Sequence, residues 1–249
     1  MVANPTISIA PCCVYRGGRT VLVGKGGSVK TTTIMVAGAT GLVGASFVAI
    51  AEGKPDLATI SLVRGKARQN QVAIDFEALV ADPAATLQNA VPFRPDVAVC
   101  CLGTMLSVAG SKEAMWRVDH DFVVAFAKGA RALGVKRLIL MSAAGAGGTG
   151  FYLKTKAAVE AEIKALGFAR VDFLRPGLVL GPRPNRSLGA AIGAAIYPYL
   201  APLFPGPLAK FRSIDVKEVA GAMVKLSRYE APGLFIHHNK ELSQMTRTV

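Results

Sequence analysis

Short apolar runs alternate along most of this chain with longer stretches whose apolar residues recur every three or four positions. The first run, TIMVAG (33–38), is β-rich and ends in glycine; LVGASFVAIAEG (42–53) follows with helical spacing and stops at Gly53. The pattern then predicts strands over ATISLVR (58–64) and QVAIDF (71–76), a broken helix over FEALVADPAATLQNA (76–90), and a strand over DVAVCCLG (96–103). That last run carries Val and Cys on both faces, as a strand covered on both sides does. One long amphipathic helix is predicted over 112–134, closed by Gly134. A strand over KRLILMSA (136–143), a helix over 152–167 closed by Gly167, and a sixth strand over VDFLRPGLVLG (171–181) follow. Strands alternating with helices build a parallel sheet with helices on both faces, so the expected class is α/β with a doubly wound parallel sheet.

After Gly181 the rhythm breaks. Residues 182–212 are rich in Pro, Ala and aromatic residues; a helix over 214–228 and a late strand over GLFIHH (233–238) then resume it. With no internal repeat and no long linker, residues 33–249 are expected to form a single domain, and the aberrant segment 182–212 its small substrate-binding part. Residues 1–32 stand apart as an extension expected to be poorly ordered.

Composition narrows the function. Apolar residues make up 51% of the 249 positions, which suits a globular protein. The longest uncharged run, 187–209, is broken by Pro198, Pro202, Pro205 and Pro207, so no membrane span is expected. The net charge of +13 is dispersed, without a nucleic-acid motif or interleaved aromatics, and reads as a basic surface that tolerates anionic ligands. The cysteines form two adjacent pairs, Cys12–Cys13 and Cys100–Cys101, without metal-ligand spacing, and the three histidines do not cluster. No metal site and a reducing cytoplasm are therefore expected. The first 33 residues carry four basic residues and no acid, a mild likeness to a transit peptide, but lack a clear amphipathic pattern.

Two glycine-rich stretches compete as phosphate cradles within residues 24–44. The first, GKGGSVKT, places Val29 where a nucleoside-triphosphate loop needs glycine, and Lys30 leads into a strand instead of a helix. The second, GATGLVG, follows a strand and precedes a helix. Gly38 permits the tight turn, Gly41 a close approach to pyrophosphate and Gly44 tight helix–strand packing; Thr40, Leu42 and Val43 complete the turn. The second stretch is the expected dinucleotide site. The end of the next strand, SLVRGKAR, supplies Arg64, Lys66 and Arg68 where an NAD site usually has an acid for the ribose 2′-hydroxyl. NADP(H) is therefore preferred over NAD(H). Asp75 and Phe76 close the third strand, placed to meet the adenine.

Tyr152 and Lys156 lie four residues apart at the start of a helix, hence on one face. A free tyrosine has a pKa of about 10. A neighbouring cation favours the phenolate and is expected to lower that value, so that the phenol exchanges a proton while hydride moves to or from a nicotinamide. Ser142 ends the preceding strand and is placed to hydrogen-bond the same substrate oxygen. Arg175 receives no catalytic role.

VAGATGLVG, DFEAL, CCLGT, VDHDFVVAFAKGARALGVKRLILMSAAGA, YLKTKAAVEAEI and FLRPGLVLGPR together resemble the atypical short-chain dehydrogenase/reductases, specifically the bacterial relatives of the Tat-interacting-protein-type oxidoreductases, over about residues 33–230. The resemblance implies a Rossmann-type domain, NADP(H) contacts that include Leu102, Gly103, Thr104, Lys156 and Pro176, and a Ser142–Tyr152–Lys156 catalytic site. The Ser–Tyr interval of ten residues is shorter than usual for the superfamily, and Asp119 stands where many members carry Asn. The expected function is an NADP(H)-dependent oxidoreductase acting on a small carbonyl compound or alcohol. The same branch also contains NADP(H)-binding proteins with a protein partner and little turnover, so a redox-sensing regulatory protein is the alternative.

Overall fold

In the computed structural model the described residues are 13–16, 19–24, 27–182 and 211–247. Seven parallel strands form the central sheet: β4 (Thr32–Ala37), β5 (Leu57–Val63), β6 (Gln71–Ala73), β7 (Val97–Cys100), β8 (Arg137–Met141), β9 (Arg170–Leu174) and β12 (Gly233–His237). Their spatial order is β12-β9-β8-β7-β4-β5-β6. The chain enters at the middle, winds outward through β5 and β6, returns to the other side of β4, and winds out again. This is the Rossmann-type arrangement, and the reversal between β4 and β7 opens a crevice at the strands' carboxyl ends.

Alternation along the strands divides the core. Ile34 and Val36 face one layer with Phe47 and Ala51 of helix α1 (Leu42–Glu52). Met35 and Ala37 face the other. That second layer holds α2 (Phe76–Ala81), α3 (Pro83–Ala90), α6 (Phe122–Ala132) and α7 (Phe151–Ala165). The break expected within 76–90 falls at Asp82, whose carboxylate caps α3 by accepting from the Ala85 N–H at 3.0 Å. Beyond β9 the short strands β10 (Val179–Leu180) and β11 (Ile214–Asp215) pair in parallel, and α8 (Val216–Leu226) and α9 (Asn239–Arg247) cover the α1 side. Helix α9 has no counterpart in the sequence reading.

The long helix expected over 112–134 is not continuous. After α4 (Leu106–Ala109) come α5 (Lys112–Trp116), a π-helical turn over Arg117–Asp121, and then α6. The wider turn rephases the helix and leaves both Asp119 and His120 buried. Such a shift depends on packing against α7, which residue spacing does not report.

Within residues 1–32, β1 (Cys13–Arg16), β2 (Arg19–Gly24) and β3 (Gly27–Lys30) form an antiparallel sheet separate from the central one. Val29 and Lys30 therefore lie in a hairpin strand, with Val29 opposite Leu22, in a setting incompatible with a phosphate loop opening a helix. Among the described residues no helix is long and apolar enough to cross a membrane, and no group of three metal-ligating side chains converges. The segment proposed to line the substrate site, 182–212, falls almost wholly outside the described residues, as does the proline-broken run 187–209.

Gly129 fixes how closely α6 approaches α3: a Cβ there would lie 2.5 Å from the Pro83 carbonyl oxygen and 2.7 Å from Leu87. Gly129→Val should therefore lose about 1–3 kcal/mol to overpacking. Thermal unfolding should show Tm lower by roughly 2–10 °C; an unchanged Tm would mean that the two helices separate without cost.

Candidate active site

The β4–α1 turn is built by exclusion. Gly38 has φ +81°, and a Cβ on it would lie 2.6 Å from the carbonyl of Cys101. A Cβ on Gly44 would lie 2.2 Å from the Gly38 carbonyl oxygen. The turn, the first helical turn and the exit of β7 thus touch backbone to backbone. The N–H of Gly41 donates to Gly38 O at 3.1 Å, and Gly41 caps α1 without a side-chain acceptor. With no acid in the first turn, the amide groups of Leu42, Val43 and Gly44 at the helix start remain available to an anion. Thr40 is exposed beside them.

Beyond β5 and β6 an open cavity of about 510 Å³ is lined by Arg64, Ala73, Ile74, Asp75, Phe76, Glu77 and Phe122. The structure brings Arg64, Asp75 and Phe76 together as expected from their strand ends. Lys66 and Arg68 lie on the exposed loop nearby but not in the lining. Two details differ from expectation. The Asp75 carboxylate caps α2 by accepting from the Glu77 N–H at 2.8 Å. Phe76 is 4% exposed and packs its ring 5.3 Å from that of Phe122, so it is chiefly a core residue. Glu77 completes the lining, and its ion-pair partner Arg117, on the π-helical turn, was unforeseen from spacing.

Tyr152 and Lys156 stand one turn apart on α7. Tyr152 keeps 39% of its surface, whereas Lys156 is buried, its Nζ 5.5 Å from the Tyr152 ring centre. That Nζ also lies 2.9 Å from Asp119 Oδ1, and the other Asp119 oxygen accepts from the Thr104 N–H at 2.7 Å. Gly103 covers the pair so closely that a Cβ there would be 3.3 Å from Asp119 Oδ1. Burial draws the lysine pKa down, but Asp119 and then Tyr152 outweigh it, and the ammonium is held above its ordinary value. The expected lowering of the Tyr152 pKa does not survive: burial raises it, Lys156 lowers it, Asp119 raises it again, and the net direction is upward. Neither the burial of Tyr152 nor the carboxylate paired with its lysine follows from the four-residue spacing.

Ser142 also departs from expectation. Its hydroxyl is buried and donates to Glu160 Oε1 at 2.6 Å, while Arg175 grips the same carboxylate, its Nε 2.9 Å from Oε1 and one terminal nitrogen on Oε2. Glu160, which the sequence reading passed over, is 1% exposed. Its position four residues after Lys156 marked it as an acid on the buried face of α7. Ser142 and Arg175 at the ends of β8 and β9 are thereby tied to α7. Ala144 N–H adds a 2.8 Å bond to the carbonyl of Pro176, which is buried in the following loop. Leu102, Gly103 and Thr104 line the exit of β7, between the α1 turn and Lys156.

The chain belongs to the NAD(P)H-binding family, which it matches over residues 38–181. Its relatives include the protein FMP52, mitochondrial, of Eremothecium gossypii, 33% identical over 66% of this chain and 73% of that protein. The protein of the same name from Saccharomyces cerevisiae is 28% identical over 66% and 75%. Among solved structures, the UDP-N-acetylglucosamine 4-epimerase of Bacillus cereus superposes with a TM-score of 0.61 at 16% identity, covering 86% of this chain and 79% of that one. The human epimerase family protein SDR39U1 with NADPH gives 0.58 at 15% identity, over 86% and 78%. At such identities the likeness speaks for the fold, and that fold is the one the short-chain dehydrogenase/reductase resemblance implied. The cytoplasmic location expected from the cysteines is overturned, because the relatives from Eremothecium gossypii, Emericella nidulans and Saccharomyces cerevisiae are all named mitochondrial.

The two kinds of ion pair should behave differently when broken. Glu160→Ala leaves Arg175 and the Ser142 hydroxyl without their buried acceptor and should cost about 3 kcal/mol. Glu77→Ala, breaking a pair whose side chains are 39% and 61% exposed, should change stability by less than about 1 kcal/mol. Urea denaturation of the two variants checks the contrast; equal losses would refute it.

Proposed function

We propose that this protein is an NAD(P)H-dependent oxidoreductase that transfers hydride to or from a small carbonyl compound or alcohol. The observation that carries the proposal is the exposed phenol of Tyr152 beside the buried Lys156, at the same carboxyl edge of the sheet as the uncapped start of α1. An acid–base group and an anion-binding helix terminus on one edge fit a dinucleotide with its reactive end near Tyr152. When bound, the nicotinamide supplies or accepts the hydride. Gly38, Gly41 and Gly44 let the backbone approach the pyrophosphate, and the amides of the first helical turn hold it. Arg64, from the cavity lining, meets a ribose 2′-phosphate, with Lys66 and Arg68 adding to the positive field. NADP(H) is thus the preferred cofactor, with NAD(H) as the second choice. Tyr152 Oη gives its proton to the substrate oxygen during reduction or takes it during oxidation, and Lys156 keeps a positive charge beside it. Segment 182–212 supplies the substrate pocket. We place the protein in the mitochondrion, in keeping with the names of its relatives and with the acid-free, basic first 33 residues.

A second reading, an NADP(H)-binding redox sensor with little turnover, is favoured by one observation. The Ser142 hydroxyl proton is engaged by Glu160, so Tyr152 lacks the partner expected to orient a substrate oxygen.

Fluorescence titration should show NADPH binding roughly tenfold or more tighter than NADH, with Arg64→Ala removing most of the difference. Equal affinities in the parent protein would refute the NADP assignment. With a carbonyl substrate found by screening, Tyr152→Phe should bind NADPH almost normally and turn over roughly 10²–10⁴-fold more slowly. Turnover at the parent rate would exclude Tyr152 as the acid.

A further inference from the structure

The pair that sets Lys156 also sets what Tyr152 can do. Lys156 and Asp119 lie within the protein with side chains only 6% and 1% exposed, their charged atoms 2.9 Å apart. Asp119 Oδ2 accepts from the Thr104 N–H at 2.7 Å, whereas Oδ1 faces the Lys156 ammonium at 2.9 Å. Among the described residues, Asp119 is the ion-pair partner of Lys156. Across 5.5 Å from the lysine nitrogen, the Tyr152 ring faces an ion pair, not a bare cation. Opposite charges 2.9 Å apart partly cancel at that distance, so the carboxylate weakens the lysine's pull on the phenol.

We propose that Asp119 is a positioning residue that clamps Lys156 against the β7 exit and, by neutralising its field, keeps the proton on Tyr152, so that the site favours carbonyl reduction over alcohol oxidation. The directional part rests on the oxidoreductase reading above. In the reducing direction the carbonyl carbon takes the hydride of a reduced nicotinamide, the π pair moves to oxygen, and that oxygen takes the Tyr152 Oη proton. The resulting phenolate is reprotonated from solvent. A site that keeps its phenol protonated begins this sequence ready, whereas oxidation needs the phenolate first.

The groups facing the phenol and the lysine are few. Lys156 itself lies on α7 and Asp119 on the π-helical turn. Among the described residues, Cys100 at the end of β7 is a further titratable neighbour of Lys156. Burial pushes its thiol up to about 12, so it stays neutral and leaves the field to Asp119 and Lys156. Burial chiefly raises the Tyr152 pKa, Lys156 lowers it, and Asp119 adds to the upward direction.

The test is a substrate-free titration. Ring-13C tyrosine is incorporated into the full chain, whose five tyrosines are resolved by NMR and Tyr152 is assigned with Tyr152→Phe. In the parent protein its phenol should persist above the ordinary midpoint of about 10. In Asp119→Asn the midpoint should fall by about one unit or more, since the lysine charge or the loss of the anion then governs the phenol. Asp119→Ser serves as a second variant should the buried amide not fold, with the same direction expected. A parent midpoint at or below about 10, or one unmoved or raised in the variants, overturns the proposal. An aspartate that merely braced the fold would lower stability without moving the phenol. If the midpoints shift as expected while Tyr152→Phe keeps parent turnover, the clamp stands and the catalytic reading falls. If they do not shift while Tyr152→Phe is inactive, the reverse holds.

Discussion

Everything at the carboxyl edge of the sheet depends on the contact between the β4–α1 turn and the exit of β7. The Gly38 backbone meets Cys101 and Leu102 with no room for a side chain, and Gly44 meets Gly38 in the same way. This contact sits at the reversal of strand order, where two crossover connections leave on opposite faces and a crevice must open. It aims the free amides of α1 into that crevice. By fixing where β7 ends, it also places Gly103 and Thr104 over the Lys156–Asp119 pair. The proposed pyrophosphate cradle and the proposed acid–base pair are therefore two sides of one backbone junction.

Buried charge organises the rest of the edge. Glu160 gathers Ser142 from β8 and Arg175 from β9, while Asp119 gathers Lys156 and the Thr104 amide. Each carboxylate repays its desolvation by drawing in more than one donor from different elements, and this makes both centres sensitive to loss of a single partner. The two clusters share α7, with Lys156 and Glu160 one turn apart. That helix thus carries at once the exposed phenol and the brace holding three strand exits in register.

The far wall of the proposed cofactor site has a different character. The cavity beyond β6 is open, and its charged lining residues Arg64 and Glu77 are exposed. Interactions there are screened and individually weak. The proposed discrimination between cofactors at that wall would rest on Arg64, whereas the apolar floor of Phe76 and Phe122 belongs to the core.

Much of the architecture was legible in residue order because its causes are local. The alternating apolar runs located the strands of the parallel sheet, including the late strand over 233–237. The spacing of Gly38, Gly41 and Gly44 located the tight turn, and Val29 disqualified the rival loop. Asp82 and Pro83 marked a helix break through capping chemistry that acts within a few residues. The four-residue interval placed Tyr152 and Lys156 on one face. What escaped was decided by contacts across long stretches of chain. The π-helical turn that buries Asp119 exists because α5 and α6 pack on α7. Asp119 reaches Lys156, 37 positions further along the chain, and Ser142 meets an acid 18 residues away. Sequence spacing alone determined that a phenol and an ammonium stand side by side; only the tertiary structure placed a carboxylate behind the ammonium. Burial first, and then that carboxylate, raise the phenol's proton affinity against the lowering by the lysine.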